Sequence, residues 1–292
     1  MIRVLVLGST GMLGHIVARV LSRSQNITVD GTQRHGSALL SLDAASGAPA
    51  LRALWRRPQA YEFVVNCIGL TRAAISEHDP RTVEAAIRVN AVFPYELAAV
   101  AAEFGARVLH VSTDGVFSEG AGDCAEDAPH DCVDVYGKTK SLGEVLAPHV
   151  LTLRCSIIGP DLLGRRGLIE WFLALPEDQE VSGYTDSLWN GVTTLQLASL
   201  CERIIQQDAF GVLRAQSAVH HFYLKRPLSK YELLRLFADV FQRRVHVRPG
   251  LTPGRPVTRV LISQYQGLFK LLAAEPDLSD ALREVVVERT GR

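Results

Sequence analysis

The segment Gly8-Ser9-Thr10-Gly11-Met12-Leu13-Gly14 follows an apolar run, Ile2 to Leu7, and leads into an amphipathic stretch that ends near Ser22. A strand that turns on glycines straight into a helix leaves few folds open. The turn needs backbone that side chains would block, and the helix start offers unpaired N–H groups and a partial positive charge. The spacing, G-x-x-G-x-x-G, suits a phosphate cradle. A glycine-rich strand-to-helix turn without a ligand is the alternative.

The rest of the first half repeats the pattern. Short β-branched runs at 2–7, 27–33, 62–68, 107–112 and 150–154 alternate with helical stretches at 12–22, about 80–104, and one carrying Lys138 to Leu146. Such alternation predicts an α/β chain with a Rossmann-type doubly wound parallel sheet. Residues 1–155 are expected to form the dinucleotide-binding domain. Residues 156–292, broken by Gly164, Gly167, Pro176 and Gly183, are expected to form mainly a smaller α/β substrate lobe, with some segments returning to the first domain. Within them 229–241 reads as a helix, with Ser229 as N-cap and Glu232 completing a capping box, and 251–256 reads as a loop.

Of the 292 residues, 47% are hydrophobic and 21% charged, enough for a core that needs no disulfides. Acids and bases balance at 31 each, and no basic stripe points to nucleic acid. The five cysteines, Cys67, Cys124, Cys132, Cys155 and Cys201, follow no zinc or redox spacing and read as free thiols. No signal-peptide pattern opens the sequence, and no uninterrupted apolar run reaches the length of a membrane span. A cytoplasmic protein is expected. His220 and His221 are adjacent, so in a strand they face opposite sides, and no metal site is expected.

Two groups carry chemistry. Tyr136 and Lys140 are four residues apart, on one helix face, where a cation beside a phenol favours phenolate. Ser112-Thr113-Asp114 follows the fourth strand at the edge where open parallel sheets bind ligands. Hydride delivered to a carbonyl carbon, a proton from Tyr136, and charge stabilisation by Thr113 and Lys140 make a consistent carbonyl-reduction scheme. An exposed structural pair is the ordinary meaning of Tyr-x-x-x-Lys when it stands alone. At the end of the second strand Arg34 suits a 2′-phosphate and favours NADPH, with NADH as the alternative. Asp43 is placed beside the adenine or serves as a loop or cap residue, and Asp30 lies within the strand.

Together with Asn66-Cys67-Ile68-Gly69, Asn90-Ala91-Val92-Phe93-Pro94, Ser112 to Phe117 and Gly143-Glu144, these blocks resemble the extended short-chain dehydrogenase/reductase superfamily, and within it the dTDP-4-dehydrorhamnose reductase branch of sugar-nucleotide reductases. The resemblance implies an enzyme, an NAD(P)H-dependent reductase of a nucleotide-activated 4-keto-6-deoxysugar in surface-polysaccharide or deoxysugar biosynthesis. It implies Thr113, Tyr136 and Lys140 as catalytic residues, and Gly8, Thr10, Gly11, Met12, Leu13 and Gly14 as the pyrophosphate turn. Cys67, Gly69 and Asn90 join Arg34, Asp43, Tyr136 and Lys140 on the cofactor side, Asn90 by helping to order the active-site helix and its waters, with an ordinary polar helix residue as the alternative. For the sugar it points to Thr113, Asp114, Trp189, Asn190 and Arg259, with Arg255 competing for the last role and a packing role open for Trp189.

Gly115 departs from the larger residue of many relatives and is expected to leave extra space for substrate. The acidic stretch Asp123 to Asp134 is expected to be a mobile, solvated loop over it. The alternatives are an epimerase or dehydratase on the same fold, or a dinucleotide-bound regulatory subunit. Expected partners are a nucleotide-sugar substrate and a second copy in a homodimer, with neither nucleic acid nor membrane.

Overall fold

The computed structural model describes residues 1–36, 39–55, 60–161, 167–272 and 274–290, with the backbone alone at 288–290; Gly164 lies outside the described residues. The strands in chain order are β1 (Ile2–Leu7), β2 (Ile27–Gln33), β3 (Leu40–Ser41), β4 (Phe63–Asn66), β5 (Arg107–Thr113), β6 (Asp123–Cys124), β7 (Val150–Cys155), β8 (Ile157–Ile158), β9 (Gln179–Tyr184), β10 (Leu188–Trp189), β11 (Val192–Thr193), β12 (Val219–His221), β13 (Leu228–Ser229), β14 (Val245–Gly250) and β15 (Val260–Leu261). Seven of them form one sheet in the order β12-β7-β5-β4-β1-β2-β3, every neighbouring pair parallel.

The chain runs outward from β1 in both directions, so the crevice between β1 and β4 is a topological switch point, where doubly wound sheets take ligands. This is the Rossmann-type α/β sheet that the alternating pattern predicts.

Side-chain alternation along β1 divides the core. Val4 and Val6 join one apolar cluster with Ile16 and Val17 of α1 (Gly14–Ser22). Leu5 and Leu7 join another with Leu51 of α2 (Gly47–Trp55). Both faces of the sheet are therefore covered, which is why the central strands are apolar throughout rather than alternating.

The third predicted strand ends early, at Asn66, because the Asn66 side chain accepts from the Ile68 N–H (3.2 Å) and takes that donor from the ladder. The predicted helix at 80–104 is α3 (Pro80–Ala86) and α4 (Phe93–Glu103), joined by a π-helical turn at Ile87–Val92. By length and composition this 24-residue unit passes for a membrane span. Counting uninterrupted apolar residues misses it, since charged residues punctuate the run. Its apolar face is taken by the protein: Phe93, Leu97 and Val100 lie in the second cluster with Val64 and Val108 of the sheet.

The second half does not stand apart. β12 adds the seventh strand, and α7 (Thr194–Gln206) packs on α1. α8 (Phe210–Gln216) packs on β7, and the remainder comprises α6 (Leu168–Leu173), α9 (Lys230–Val240) and the short pairs β8·β11, β9·β14, β10·β13 and β6·β15. Ser229 and Glu232 form the reciprocal capping box of α9, and 251–256 is irregular.

Candidate active site at the carboxyl edge of the sheet

The glycine turn is held from below by Thr32, whose hydroxyl accepts from the Gly8 N–H (3.0 Å) and whose carbonyl accepts from the Ser9 N–H (3.0 Å). Gly8 adopts φ +75°, and a Cβ on Gly14 would stand 2.1 Å from the Gly8 carbonyl oxygen, so neither position accepts a side chain. Leu13 precedes α1 without a side-chain cap; the His15 and Ile16 N–H groups bond to the Gly11 and Leu13 carbonyls (3.2 and 3.1 Å), so the N–H groups left for an anion are those of the turn just before them.

Two hollows meet at this turn and share Gly11, Cys67, Ile68 and Gly69. One, of about 290 Å³, runs past Thr10 to Thr32, Gln33 and Arg34. The other, of about 520 Å³, passes Met12 and Leu13 to Thr113, Tyr136 and Lys140. Together they form a bent groove with room for a dinucleotide.

Arg34 stands half-exposed at the first end, its Nε 3.9 Å from Asp43 Oδ1. Asp43 does not line the hollow. It caps the short helical turn Ala44–Ser46 by accepting from the Ala45 N–H (3.0 Å), the cap role that its sequence position left open. Asp30 is bound by Arg3 (2.9 Å) and the Tyr61 hydroxyl (2.7 Å).

At the other end α5 (Val135–Leu142) carries Tyr136 and Lys140. It starts earlier than the sequence suggests because Asp134 caps it, accepting from the Gly137 N–H (2.6 Å). Lys140 is buried, and its Nζ donates to the Val111 carbonyl (2.8 Å). Burial lowers its pKa to about 8, against the pull of Glu144. Burial also raises the Tyr136 phenol above its ordinary value, opposed by a hydrogen bond with Thr113. Desolvation outweighs that bond and the Arg72 guanidinium, so the phenolate that the Tyr136–Lys140 spacing suggests does not form and Tyr136 keeps its proton at neutral pH, as a general acid must.

Activity is expected to fall as pH rises through about 8 and Lys140 loses its charge. Stability moves oppositely: between about 8 and the ordinary lysine value of 10.5 the unfolded chain binds more protons than the folded one, so Lys140's contribution rises with pH across that window. Rate profiles and urea unfolding at matched pH check both signs.

Five expectations change. Gly115 leaves no extra space: a Cβ there would stand 3.0 Å from Tyr136 Cε1 and 3.3 Å from Thr113 Oγ1, so the glycine is what lets the phenol ring close on Thr113. Asn90 does not face the groove. Its amide brackets Leu70, accepting from the N–H (2.8 Å) and donating to the carbonyl (3.0 Å), and also donates to Thr139 Oγ1 (3.3 Å), which ties the segment after β4 to α5. Asn190 is buried and spends both ends of its amide on the Leu261 backbone (2.7 and 3.1 Å). Trp189 stands behind the cleft wall, donating to Ser156 Oγ (2.9 Å), and it is Ser156 that lines the cleft. The acidic stretch is fastened rather than free: β6 pairs with β15, Glu126 accepts from the His221 and Gln264 N–H groups (3.1 and 3.0 Å), and Asp131 accepts from the Ser118 N–H (2.6 Å).

Asp114 lines the cleft with its oxygens engaged by Thr113 (3.1 Å) and Arg259 Nε (3.0 Å). Arg259 lines it too and keeps a buried Nη1 without a hydrogen-bond partner among the described residues, whereas Arg255 is exposed and away from the cleft. His220 Nε2 meets the Leu213 carbonyl (2.9 Å) and His221 Nε2 meets Arg154 (3.0 Å), so the two rings serve different neighbours; among the described residues no group of metal-binding side chains converges.

Sequence reasoning missed Arg72. It lines the cleft with its guanidinium 5.7 Å from the Tyr136 ring centroid and is paired with Asp134 (2.6 Å). Its one signal is a basic residue shortly after the end of β4.

The model of the RmlD substrate binding domain family matches residues 2–259. A dTDP-4-keto-6-deoxy-D-glucose reductase from Streptomyces niveus is 32% identical over 221 residues, spanning 74% of this chain and 73% of that one. Methionine adenosyltransferase 2 subunit beta from Xenopus tropicalis is 27% identical over 273 residues, spanning 86% of this chain and 78% of that one. A solved dTDP-4-dehydrorhamnose reductase from Bacillus anthracis in complex with NADP shares the fold, with a TM-score of 0.80 at 18% identity and 99% of both chains covered. Because the family match runs unbroken from the first strand through Arg259 and so takes in both ends of the groove, the chain belongs to the RmlD substrate binding domain family.

Proposed function

We propose that the protein is an NADPH-dependent reductase of a nucleotide-activated 4-keto-6-deoxysugar, acting in deoxysugar or surface-polysaccharide biosynthesis. The observation that carries the proposal is the half-buried Tyr136 beside the buried Lys140 and Thr113, at one end of a groove whose middle is a glycine cradle that admits no Cβ at Gly8 or Gly14. The 32% identity to a reductase named for a dTDP-4-keto-6-deoxysugar supports the substrate class.

The residues fit a dinucleotide. The turn at Gly8, Gly11 and Gly14 would hold the pyrophosphate, Arg34 the 2′-phosphate, and the wall at Cys67 and Gly69 the ribose side. When bound, the reduced nicotinamide supplies the hydride. Tyr136 donates its phenolic proton to the sugar oxygen. Thr113 orients that oxygen, and the Lys140 ammonium stabilises the phenolate left behind. Arg259, steadied by Asp114, offers its open Nη1 to the sugar or its diphosphate. The reaction belongs in the cytoplasm on this proposal, in keeping with five free cysteines, and the working unit is a homodimer, which light scattering checks.

The deciding assay is oxidation of NADPH by the purified protein with a dTDP-linked 4-keto-6-deoxysugar. No turnover with any nucleotide-linked 4-ketosugar would sink the proposal. It would favour a dinucleotide-bound regulatory subunit, a reading supported by the similarity to methionine adenosyltransferase 2 subunit beta. Arg34→Ala is expected to raise the KM for NADPH about tenfold, the worth of one charge-assisted hydrogen bond, while leaving the KM for NADH within about twofold. Equal loss with both cofactors would remove Arg34 from the phosphate.

A further inference from the structure

Behind the reacting groups lies a charged cluster to which the scheme above gives no task. Glu144 comes one helical turn after Lys140, just beyond α5, and its carboxylate is buried. Oε1 accepts from Ser112 Oγ (2.6 Å) and from Arg154 Nε (2.8 Å), and Oε2 accepts from Arg154 Nη2 (2.7 Å). Arg154, in β7, is equally buried and reaches further. Its Nη1 donates to the Glu126 carbonyl (3.2 Å) and meets His221 Nε2 (3.0 Å), and its Nη2 meets His130 Nε2 (2.7 Å). One carboxylate and one guanidinium thus join the end of β5, the end of α5, β7, β12 and the acidic loop.

A buried Arg–Glu pair is weak evidence for stability, because well-packed apolar residues commonly serve as well. Here that exchange would have a second effect. Lys140 is a third buried charge, and the groups that face it are few: Glu144 from its own chain segment, Tyr136 one turn before it, His110 from β5 and Cys155 from β7. Of these, Glu144 is the carboxylate, one helical turn beyond Lys140 and buried with it, and its charge favours the ammonium form. Ser112 precedes Thr113, so the bond it donates to Glu144 also fixes the strand end that presents Thr113.

We propose that Glu144, held by Arg154, is a positioning residue that keeps the buried Lys140 ammonium charged and anchors the strand end carrying Thr113. The inference rests on the reductase proposal for its rate measurement, but not for its measurement of Lys140.

The test uses Glu144→Gln with Arg154→Met in one chain, so that no guanidinium is left buried alone, and Ser112→Ala separately. Lys140 ionisation is followed by NMR of its side chain, which needs no turnover, and rates are measured against pH. In the folded double variant the Lys140 ionisation and the basic limb of kcat are both expected to move down by about one pH unit, with kcat near pH 8 lowered about fivefold and recovering toward lower pH. Ser112→Ala is expected to lower kcat about threefold with the pH profile unmoved, since it disturbs Thr113 and leaves both charges in place.

A folded double variant whose Lys140 ionisation is unchanged would overturn the proposal and leave a structural brace. So would an unchanged kcat in Ser112→Ala, the measurement that decides if the double variant fails to fold. Absence of turnover in the wild-type chain would count against the reductase proposal instead, with the Lys140 titration still testing this one.

Discussion

Tyr136→Phe is expected to lower kcat by about two to four orders of magnitude, the usual contribution of a positioned general acid, with NADPH affinity and thermal unfolding nearly unchanged. The expectation rests on where the phenol stands. Burial keeps it protonated, and Thr113 lies within hydrogen-bonding reach, so the one atom removed is the one that gives up the proton. The ring itself remains to pack against Gly115 and beneath Arg72, which is why the fold should not register the change. Stopped-flow measurement of NADPH oxidation beside cofactor titration separates the two effects. Retention of more than about a tenth of the wild-type rate would mean that another group donates the proton.

Gly115→Ala is expected to be the second largest effect, lowering kcat by about a hundredfold for a displacement of the Tyr136 ring of an ångström or less. The added methyl would stand 3.0 Å from the ring edge and 3.3 Å from Thr113 Oγ1, so the ring, Thr113 or both must give way. Affinity for the dinucleotide should stay within about twofold, because the glycine cradle lies elsewhere in the groove. An alanine variant with improved turnover on a smaller sugar would instead support the pocket-space interpretation suggested by the sequence alone.

The features most legible in the sequence were those set by local rules. The alternation of apolar runs and the glycine turn fixed the class of sheet, and the boundaries of β1 and β2 fell where the apolar runs ended. The capping box of α9 was equally plain, because Ser229 and Glu232 meet through the spacing of one helical turn. Long-range partners were not legible. Nothing beside Asn190 announces that its amide will be consumed by Leu261, and nothing beside Asn90 announces Leu70. Gly115 shows the same limit: as a letter it reads as room, and only the neighbouring ring shows that the room is filled. Arg72 and the Glu144–Arg154 pair escaped because their significance lies in what the fold lays over them.

The salt bridge between Asp114 and Arg259 joins residues 145 positions apart, and the segment that presents Arg259 is held by Asn190 on one side and by the acidic loop through β6 and β15 on the other. Order of synthesis gives this a temporal meaning. As the chain leaves the ribosome, the glycine turn, Thr113 and the Tyr136 helix are all available before Arg259 has been made. A nascent chain that has made β1 through β7 has the glycine turn but still lacks α7 over α1, the seventh strand β12 and the Arg259 side of the cleft.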